Sequence, residues 1–375
     1  MESSDMKRAP IRRRLPAVCL AFAMLVASLG AADAPAPYPR NLTKADIERW
    51  MTELSNAGRW GKDDQAGTVN TITPAKRKQA AALVHDGVSV SMSLDADIAK
   101  EGESVPAASN TPTTNNPSGT NNTAQRGAGP QRGGGGRGGP TWQHVMRSNG
   151  QNRQEGYVVD SYTVSFHGNN TTHLDALSHF IYNGHLYNGF PADSITAWGA
   201  TKNDVTPFKN GFFTRGVLVD MTWLKGVPYL GDDEAIFPED IEAWEKKSGV
   251  KIESGDAVFF RTGRWRRVAE KGPLNLNQQT PGLYASCAKW LHERDIALLG
   301  SDVVQDVRPS RVEGVNQPIH QMFLVAVGTP LFDNCDLEAL SEAAGQRQRW
   351  VFLFTAASLR VPGGTGSPLN PIATF

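Results

Sequence analysis

Cysteine is scarce in this sequence, and neither sign of charge is in excess. The three cysteines among 375 residues show no paired spacing, which argues against a zinc-thiolate site. Cys19 lies near the N-terminus, so Cys287 and Cys335 are left either to form one disulfide or to fill the core as free thiols. The 38 basic side chains are balanced by 38 acidic ones, so no basic surface for nucleic acid is expected. We predict a small-molecule partner and no nucleic acid.

A hydrophobic run long enough to anchor the chain in a membrane is also missing. The apolar stretch at 15–29 is shorter than the roughly twenty residues of a membrane span. It follows basic side chains between 7 and 14 and leads into small residues at 31–34, which is the pattern of a secretory signal peptide. We therefore predict a signal peptide at 1–34 and a mature bacterial protein, periplasmic or secreted, that starts near Pro35 and has no membrane segment.

Apolar residues are nearly absent between about 100 and 140, where Asn, Thr, Pro, Gln and Gly dominate. Such a segment buries too little apolar surface to offset the conformational entropy lost on folding. Strand-like sequence resumes at Tyr157. We predict a disordered insertion at about 100–140 within one domain that spans 35–375.

Nucleotide-binding fingerprints are lacking as well. The chain has no dinucleotide motif, and the glycine-rich loop at 363–368 lacks the Gly-Lys-Ser/Thr ending of a phosphate loop. Helical and strand-like patterns alternate along the rest of the chain, which predicts a mixed α/β domain. We expect helices at 43–54, from Pro74, at 238–247 and at 283–293, and strands at 88–94, 162–166, 215–220, 255–263, 296–302 and 350–354.

What the sequence does contain is a concentration of histidine: four of its eight histidines lie between 162 and 189. An extended chain places His173 and Asp175 on one face, and imidazole and carboxylate are ligands of divalent metals. A turn after Asp175 would bring His179 back over the ion as an acid or base. In the alternative interpretation, Asp175 caps a helix and the histidines bond to backbone carbonyls. Three histidines and an aspartate in this pattern favour the metal site.

The stretch 169–179, N-N-T-T-H-L-D-A-L-S-H, resembles the motif His-x-Gly-Thr-His-x-Asp-x-Pro-x-His. That motif marks the cyclase family of metal-dependent hydrolases, which includes bacterial kynurenine formamidase and isatin hydrolase. The second His, the Asp and the last His are kept, whereas Asn169 stands at the first His and Leu177 at the Pro. His167 is the nearest replacement for the first His, and we expect it to be a metal ligand. Further segments are similar to the family and occur in the same order along the chain: RWGKDDQ at 59–65, GSD at 300–302, PIH at 318–320, DNCDL at 333–337 and GGTGSPLNP at 363–371.

The resemblance implies a β/β/α swivelling-domain fold, a homo-oligomer and a divalent metal, Zn or Mn. His320 matches the His of the family's second metal site, and Asp333 stands where the family has Glu. Because Asp is one methylene shorter, the second ion is either lost or kept through a compensating shift of the backbone. The predicted metal ligands are His167, His173, Asp175, His320 and Asp333.

Together these features predict a hydrolase of an amide or cyclic amide C–N bond, similar to an arylformamidase. The ion would lower the pKa of a bound water toward neutrality for attack on the carbonyl, and His179 would carry the proton to the leaving nitrogen. The candidate aromatic wall for the substrate, with plain core packing as the alternative for each residue, consists of Trp60, Phe180, Tyr182 and Tyr187. A lactone hydrolase or dehydratase using the same ion, and a metal-holding binding protein without turnover, remain open. Export disfavours a role in cytosolic tryptophan breakdown, so kynurenine formamidase activity is one candidate among several.

Overall fold

A computed structural model of the protein describes residues 38–96, 141–148 and 154–375. The predicted signal peptide and the predicted insertion at about 100–140 lie outside these ranges. Within them, no helix combines the length and the apolar character that crossing a membrane requires.

Helix ends follow capping chemistry that is readable in the sequence. The first helix starts after Thr43, whose hydroxyl accepts from the backbone N–H of Asp46 while the Asp46 carboxylate accepts from that of Thr43. The fourth begins with Pro238 and ends before Gly249, whose φ of 73° suits the left-handed cap. The α-helices of the described chain are Lys44–Glu53 (α1), Pro74–Ala81 (α2), Met221–Lys225 (α3), Pro238–Ser248 (α4), Arg264–Lys271 (α5), Cys287–Glu293 (α6), Pro318–Gln321 (α7) and Glu338–Arg347 (α8). A π-helix, Met322–Val327, continues α7, and 3-10 turns cover Gly67–Thr71, Tyr187–Gly189, Ala192–Ser194 and Thr206–Phe208.

Most strands are short; Ala257–Arg261 is buried along its whole length and Phe212–Asp220 at all but one position. The strands are Ser89–Ser91 (β1), Trp142–Ser148 (β2), Val159–Val164 (β3), His173–Asp175 (β4), Ile195–Thr196 (β5), Gly199–Ala200 (β6), Phe212–Asp220 (β7), Ala235–Ile236 (β8), Ala257–Arg261 (β9), Gly282–Leu283 (β10), Leu298–Ser301 (β11), Leu331–Asp333 (β12), Val351–Ala356 (β13), Gly366–Pro368 (β14) and Ile372–Thr374 (β15). The core strands and helices predicted from the sequence are present, with ends that differ by a few residues. The helix predicted at 283–293 begins only at Cys287, because Leu283 pairs with Ile236 in a short parallel strand.

One nine-stranded sheet, in the order β1-β15-β13-β7-β9-β11-β12-β4-β14, organises the fold. In its centre, the neighbouring strands β7, β9, β11 and β12 pair in parallel. The strands on both sides, β13, β15 and β1 on one and β4 and β14 on the other, each pair antiparallel with their neighbours. The central strands are mostly apolar and almost completely buried, as expected for a parallel sheet that is covered on both faces. Strand β4 pairs Asp175 with Leu331 and His173 with Asp333, so the histidine-rich segment lies directly beside β12.

Cys287 and Cys335 are both buried, unpaired thiols. Cys287 lies at the start of α6, and Cys335 follows β12. Of the two possibilities left by the sequence, a disulfide is therefore not formed.

Gly300 on β11 permits a close approach to Phe259 on β9, because a Cβ at position 300 would lie 2.3 Å from ring atoms of Phe259. We expect Gly300→Ala to lower the free energy of unfolding by about 1–3 kcal/mol, the usual cost of overpacking a core. Gly345→Ala on α8 is the matched control, since nothing lies within 4 Å of the added Cβ, and it should stabilise by about 0.5–1 kcal/mol. Chemical denaturation measures both, and shifts of the same sign would contradict the packing argument.

Candidate metal centre

Strand β4 presents His173 and Asp175 on one face, and both side chains are buried. The Nδ1–H of His173 donates to the backbone carbonyl of Thr171 at 2.8 Å. In the neutral ring this bond leaves Nε2 of His173 without a proton, and Nε2 lies 3.4 Å from Asp175 Oδ1. The predicted convergence of these two groups is present in the structure.

The turn after β4 returns His179 to the same carboxylate. The amide of His179 donates to the carbonyl of Ala176 at 2.9 Å, and its Nε2 lies 3.7 Å from Asp175 Oδ2. The His167 ring stacks on His179 with centroids 4.1 Å apart, and its Nδ1 lies 3.0 Å from Asp175 Oδ1. Asp175, His167 and His179 therefore form one group, the shallow triad, in which both imidazoles are 29% exposed.

A second group lies deeper and shares Asp175. His173, Asp175 and Asp333 form this deep triad, whose ligand atoms lie within 4.8 Å of one another and are all buried. His320 of α7 adjoins the deep triad, with Nε2 3.4 Å from Asp333 Oδ2 and 3.8 Å from Asp175 Oδ2. All six residues predicted as metal ligands or catalytic base are thus brought to one centre.

The Asp175 carboxylate provides the test of whether these residues fit a cation. Within the described chain neither of its oxygens receives a hydrogen bond, although both are buried. Four imidazole nitrogens nevertheless surround it at 3.0, 3.4, 3.7 and 3.8 Å. Ligands bound to one cation at about 2.0–2.2 Å lie about 3–3.6 Å from each other. A buried carboxylate without donors is costly unless a cation is its partner, so the residues fit a divalent metal.

The charges of the cluster point to the same conclusion. Burial lowers the pKa of His173, but the carboxylates of Asp175 and Asp333 outweigh burial and raise it to about 9. The pKa of His320 is raised to about 10 against the effect of burial, first of all by Asp333. Burial lowers the pKa of His179 to about 4. The deep side therefore attracts protons when no cation is bound, and a cation entering it replaces them.

Sequence reasoning missed the residues that hold the loop before β4. The buried guanidinium of Arg264 donates to the backbone carbonyl of Asn169 and to the side-chain oxygen of Asn334. Asn334 in turn donates from Nδ2 to the carbonyl of Gly168 at 2.7 Å. Asn169, which stands at the motif's first His, thus contributes its carbonyl to this network. The one signal in the sequence is the polar stretch 261–264 at the end of the strand predicted at 255–263.

The four predicted substrate-binding aromatics occupy different environments. The Phe180 ring lies 5.9 Å from the His320 ring, beside the cation site. Tyr182 is half-buried in a turn and exchanges backbone hydrogen bonds with His185. Tyr187 is fully buried, with its hydroxyl donating to Asp64 at 3.1 Å, and Trp60 lies under the guanidinium of Arg59. The structure brings Phe180 to the centre, and contact of these four residues with a substrate stays a prediction.

Comparisons with known proteins bear on the identity of this site. The sequence model of a family described as "Putative cyclase" matches residues 76–305. A crystal structure described as a novel cyclase superposes with a TM-score of 0.66 and 27% identity, covering 86% of this chain and 100% of that one. Isatin hydrolase A from Ralstonia solanacearum superposes with a TM-score of 0.49 and 18% identity, covering 80% of this chain and 97% of its own. Isatin hydrolase A from Labrenzia aggregata, bound to benzyl benzoate, superposes with a TM-score of 0.47 and 19% identity, covering 78% of this chain and 94% of its own. No curated protein matches the chain.

The predicted fold class is confirmed by the cyclase structure, which shares the mixed α/β architecture over most of the chain. The family match covers more than half of the 375 residues. The chain therefore belongs to the cyclase family.

Proposed function

We propose that the protein is a metal-dependent hydrolase that cleaves the C–N bond of an amide or cyclic amide, in the manner of an arylformamidase, and that it acts after export from the cytoplasm. The observation that carries the proposal is the buried carboxylate of Asp175. It lacks a hydrogen-bond donor within the described chain and lies among four imidazole nitrogens. Membership of the cyclase family agrees with the resemblance drawn from the sequence.

The nitrogen and oxygen donors of His167, His173, Asp175 and Asp333 suit Zn or Mn, with His320 as a further ligand on the deep side. When bound, such a cation supplies Lewis-acid polarisation of a carbonyl and acidifies water. Asp175, as the member common to both triads, orients the other ligands around one centre.

His179 lies on the open side of the site, where 29% of its side chain is exposed. From there Nε2 accepts a proton from the attacking water and delivers it to the leaving nitrogen. The Phe180 ring lies 6.3 Å from the His179 ring and 5.9 Å from the His320 ring and offers an apolar face to an aromatic substrate. An aryl amide or a ring-fused cyclic amide fits this combination.

The direct test is metal analysis of the purified mature protein, coupled to a screen of aryl formamides, cyclic amides and lactones. We expect bound Zn or Mn, turnover of at least one amide, loss of turnover on treatment with a chelator, and recovery when the metal is restored. Turnover that survives chelation would contradict the proposal, and activity on lactones alone would reassign the substrate to esters. N-terminal sequencing of the periplasmic protein should begin near Pro35.

A further inference from the structure

Two adjacent buried residues, Gln305 and Asp306, lie behind the deep side of the metal centre. Gln305 Nε2 donates to Asp333 Oδ1 at 3.1 Å and to the backbone carbonyl of Phe332 at 2.8 Å. Asp306 Oδ2 accepts from Nδ1 of His320 at 2.6 Å, and its Oδ1 accepts from the amide of Ile319 at 2.7 Å. Both side chains are completely buried. Each therefore touches one candidate ligand without belonging to either triad.

The bond to Asp306 fixes the form of the His320 ring. An ionised carboxylate only accepts hydrogen bonds, so Nδ1 of His320 carries the proton. In the neutral ring the lone pair then lies on Nε2, the atom that faces Asp333 and Asp175. The same carboxylate accepts from the amide of Ile319 in the first turn of α7, so the helix and the ring are held together.

Gln305 contacts Asp333, the carboxylate that faces the His320 ring. Its amide occupies Oδ1 of Asp333, which leaves Oδ2 facing His320 Nε2 at 3.4 Å. In a strand, consecutive side chains point to opposite faces. Gln305 instead has a left-handed backbone, with φ of 54°. This departure from strand geometry occurs where two consecutive side chains, Gln305 and Asp306, reach Asp333 and His320.

We propose that Gln305 and Asp306 are positioning residues of the metal centre, which orient Asp333 and set the tautomer of His320 and thereby determine how tightly the deep side holds a cation. This inference rests on the proposed metal site. Hydrogen bonds of this kind to metal ligands typically change metal affinity by about 10–100-fold.

The test uses Co²⁺ as the probe, with affinity measured by chelator competition on the purified full chain. Asp306→Asn should bind Co²⁺ about 10–100-fold more weakly, because an amide must present an N–H either to Nδ1–H of His320 or to the amide of Ile319. Gln305→Met keeps the side-chain length, removes the donor to Asp333 and should weaken binding in the same direction. Asp240→Asn is the control, since that carboxylate caps α4 by accepting from the amide of Phe237 at 2.8 Å, and its affinity should equal that of the wild type.

A double-mutant cycle separates positioning from general support of the fold. In a His320→Ala background, Asp306→Asn should cost less than about threefold, because the ring through which Asp306 acts is gone. At saturating Co²⁺, the visible absorption bands of Asp306→Asn should shift, while those of Asp240→Asn should match the wild type. An equal loss in both backgrounds, or unchanged affinity and spectrum in Asp306→Asn, would overturn the inference while leaving the metal site in place. Failure of the wild type to bind Co²⁺ would overturn the metal site itself.

Discussion

Asp175→Asn is expected to abolish both bound metal and amide hydrolysis. Asp175 is the one residue common to the shallow and deep triads, and within the described chain both of its buried oxygens lack hydrogen-bond donors. The substitution removes the negative charge and turns an N–H₂ group toward the centre, where a cation would be repelled. Lewis-acid catalysis is worth several kcal/mol, so we expect kcat/KM to fall roughly a thousandfold or more.

Metal content per chain and kcat/KM on the best amide substrate measure this effect. Asn has nearly the size of Asp, so circular dichroism should show an intact fold. Asp193→Asn is the matched control, because Asp193 is exposed in a 3-10 turn, and it should keep both metal and activity. If Asp175→Asn kept the wild-type metal content, Asp175 would not be a ligand and the proposed centre would be wrong.

His179→Ala should keep the metal and lose turnover. The side chains of His179 and His167 are the most exposed of the four histidines at the centre. His179 Nε2 lies 3.7 Å from Asp175 Oδ2, which places it within reach of a water at the centre. General acid–base catalysis contributes about 10²–10⁴-fold, so kcat should fall by that factor while metal content stays at the wild-type level. His185→Ala provides the control, since His185 is exposed in the same segment and bonds through Nδ1 to the carbonyl of Asn183.

The opposite result would change the roles rather than the site. His179 is also a member of the shallow triad, and its ring stacks on His167. If His179→Ala released the metal, His179 would be a ligand, and the base that moves the proton would have to be sought elsewhere.

Local features of the sequence were sufficient for much of the fold and for half of the site. The helical patterns at 43–54 and 238–247 and the strand patterns at 215–220 and 255–263 each predicted an element that the structure contains. His173, Asp175 and His179 lie within seven residues, so strand alternation and one turn were enough to predict that they converge.

His320 and Asp333 were predicted as ligands through the family resemblance, because no local pattern relates them to a segment about 150 residues earlier. The structure brings them to Asp175 through strand pairing, with β12 placed between β11 and β4. The hydrogen bonds of Arg264 and Asn334, and those behind the roles proposed for Gln305 and Asp306, are visible only in the structure. Each is a polar residue whose role depends on its hydrogen-bond partner, and most of these partners are distant in sequence.

The amino-acid sequence by itself determined that this is a mixed α/β chain with a cation-binding His/Asp segment, since periodicity, capping and ligand chemistry are short-range properties. Only the tertiary structure decided that one buried carboxylate belongs to both triads, that His167 reaches it although Asn169 stands at the motif position, and that Gln305 and Asp306 contact Asp333 and His320. The physical reason is that ligand geometry is set by strand order and register, which form through contacts between residues distant in sequence.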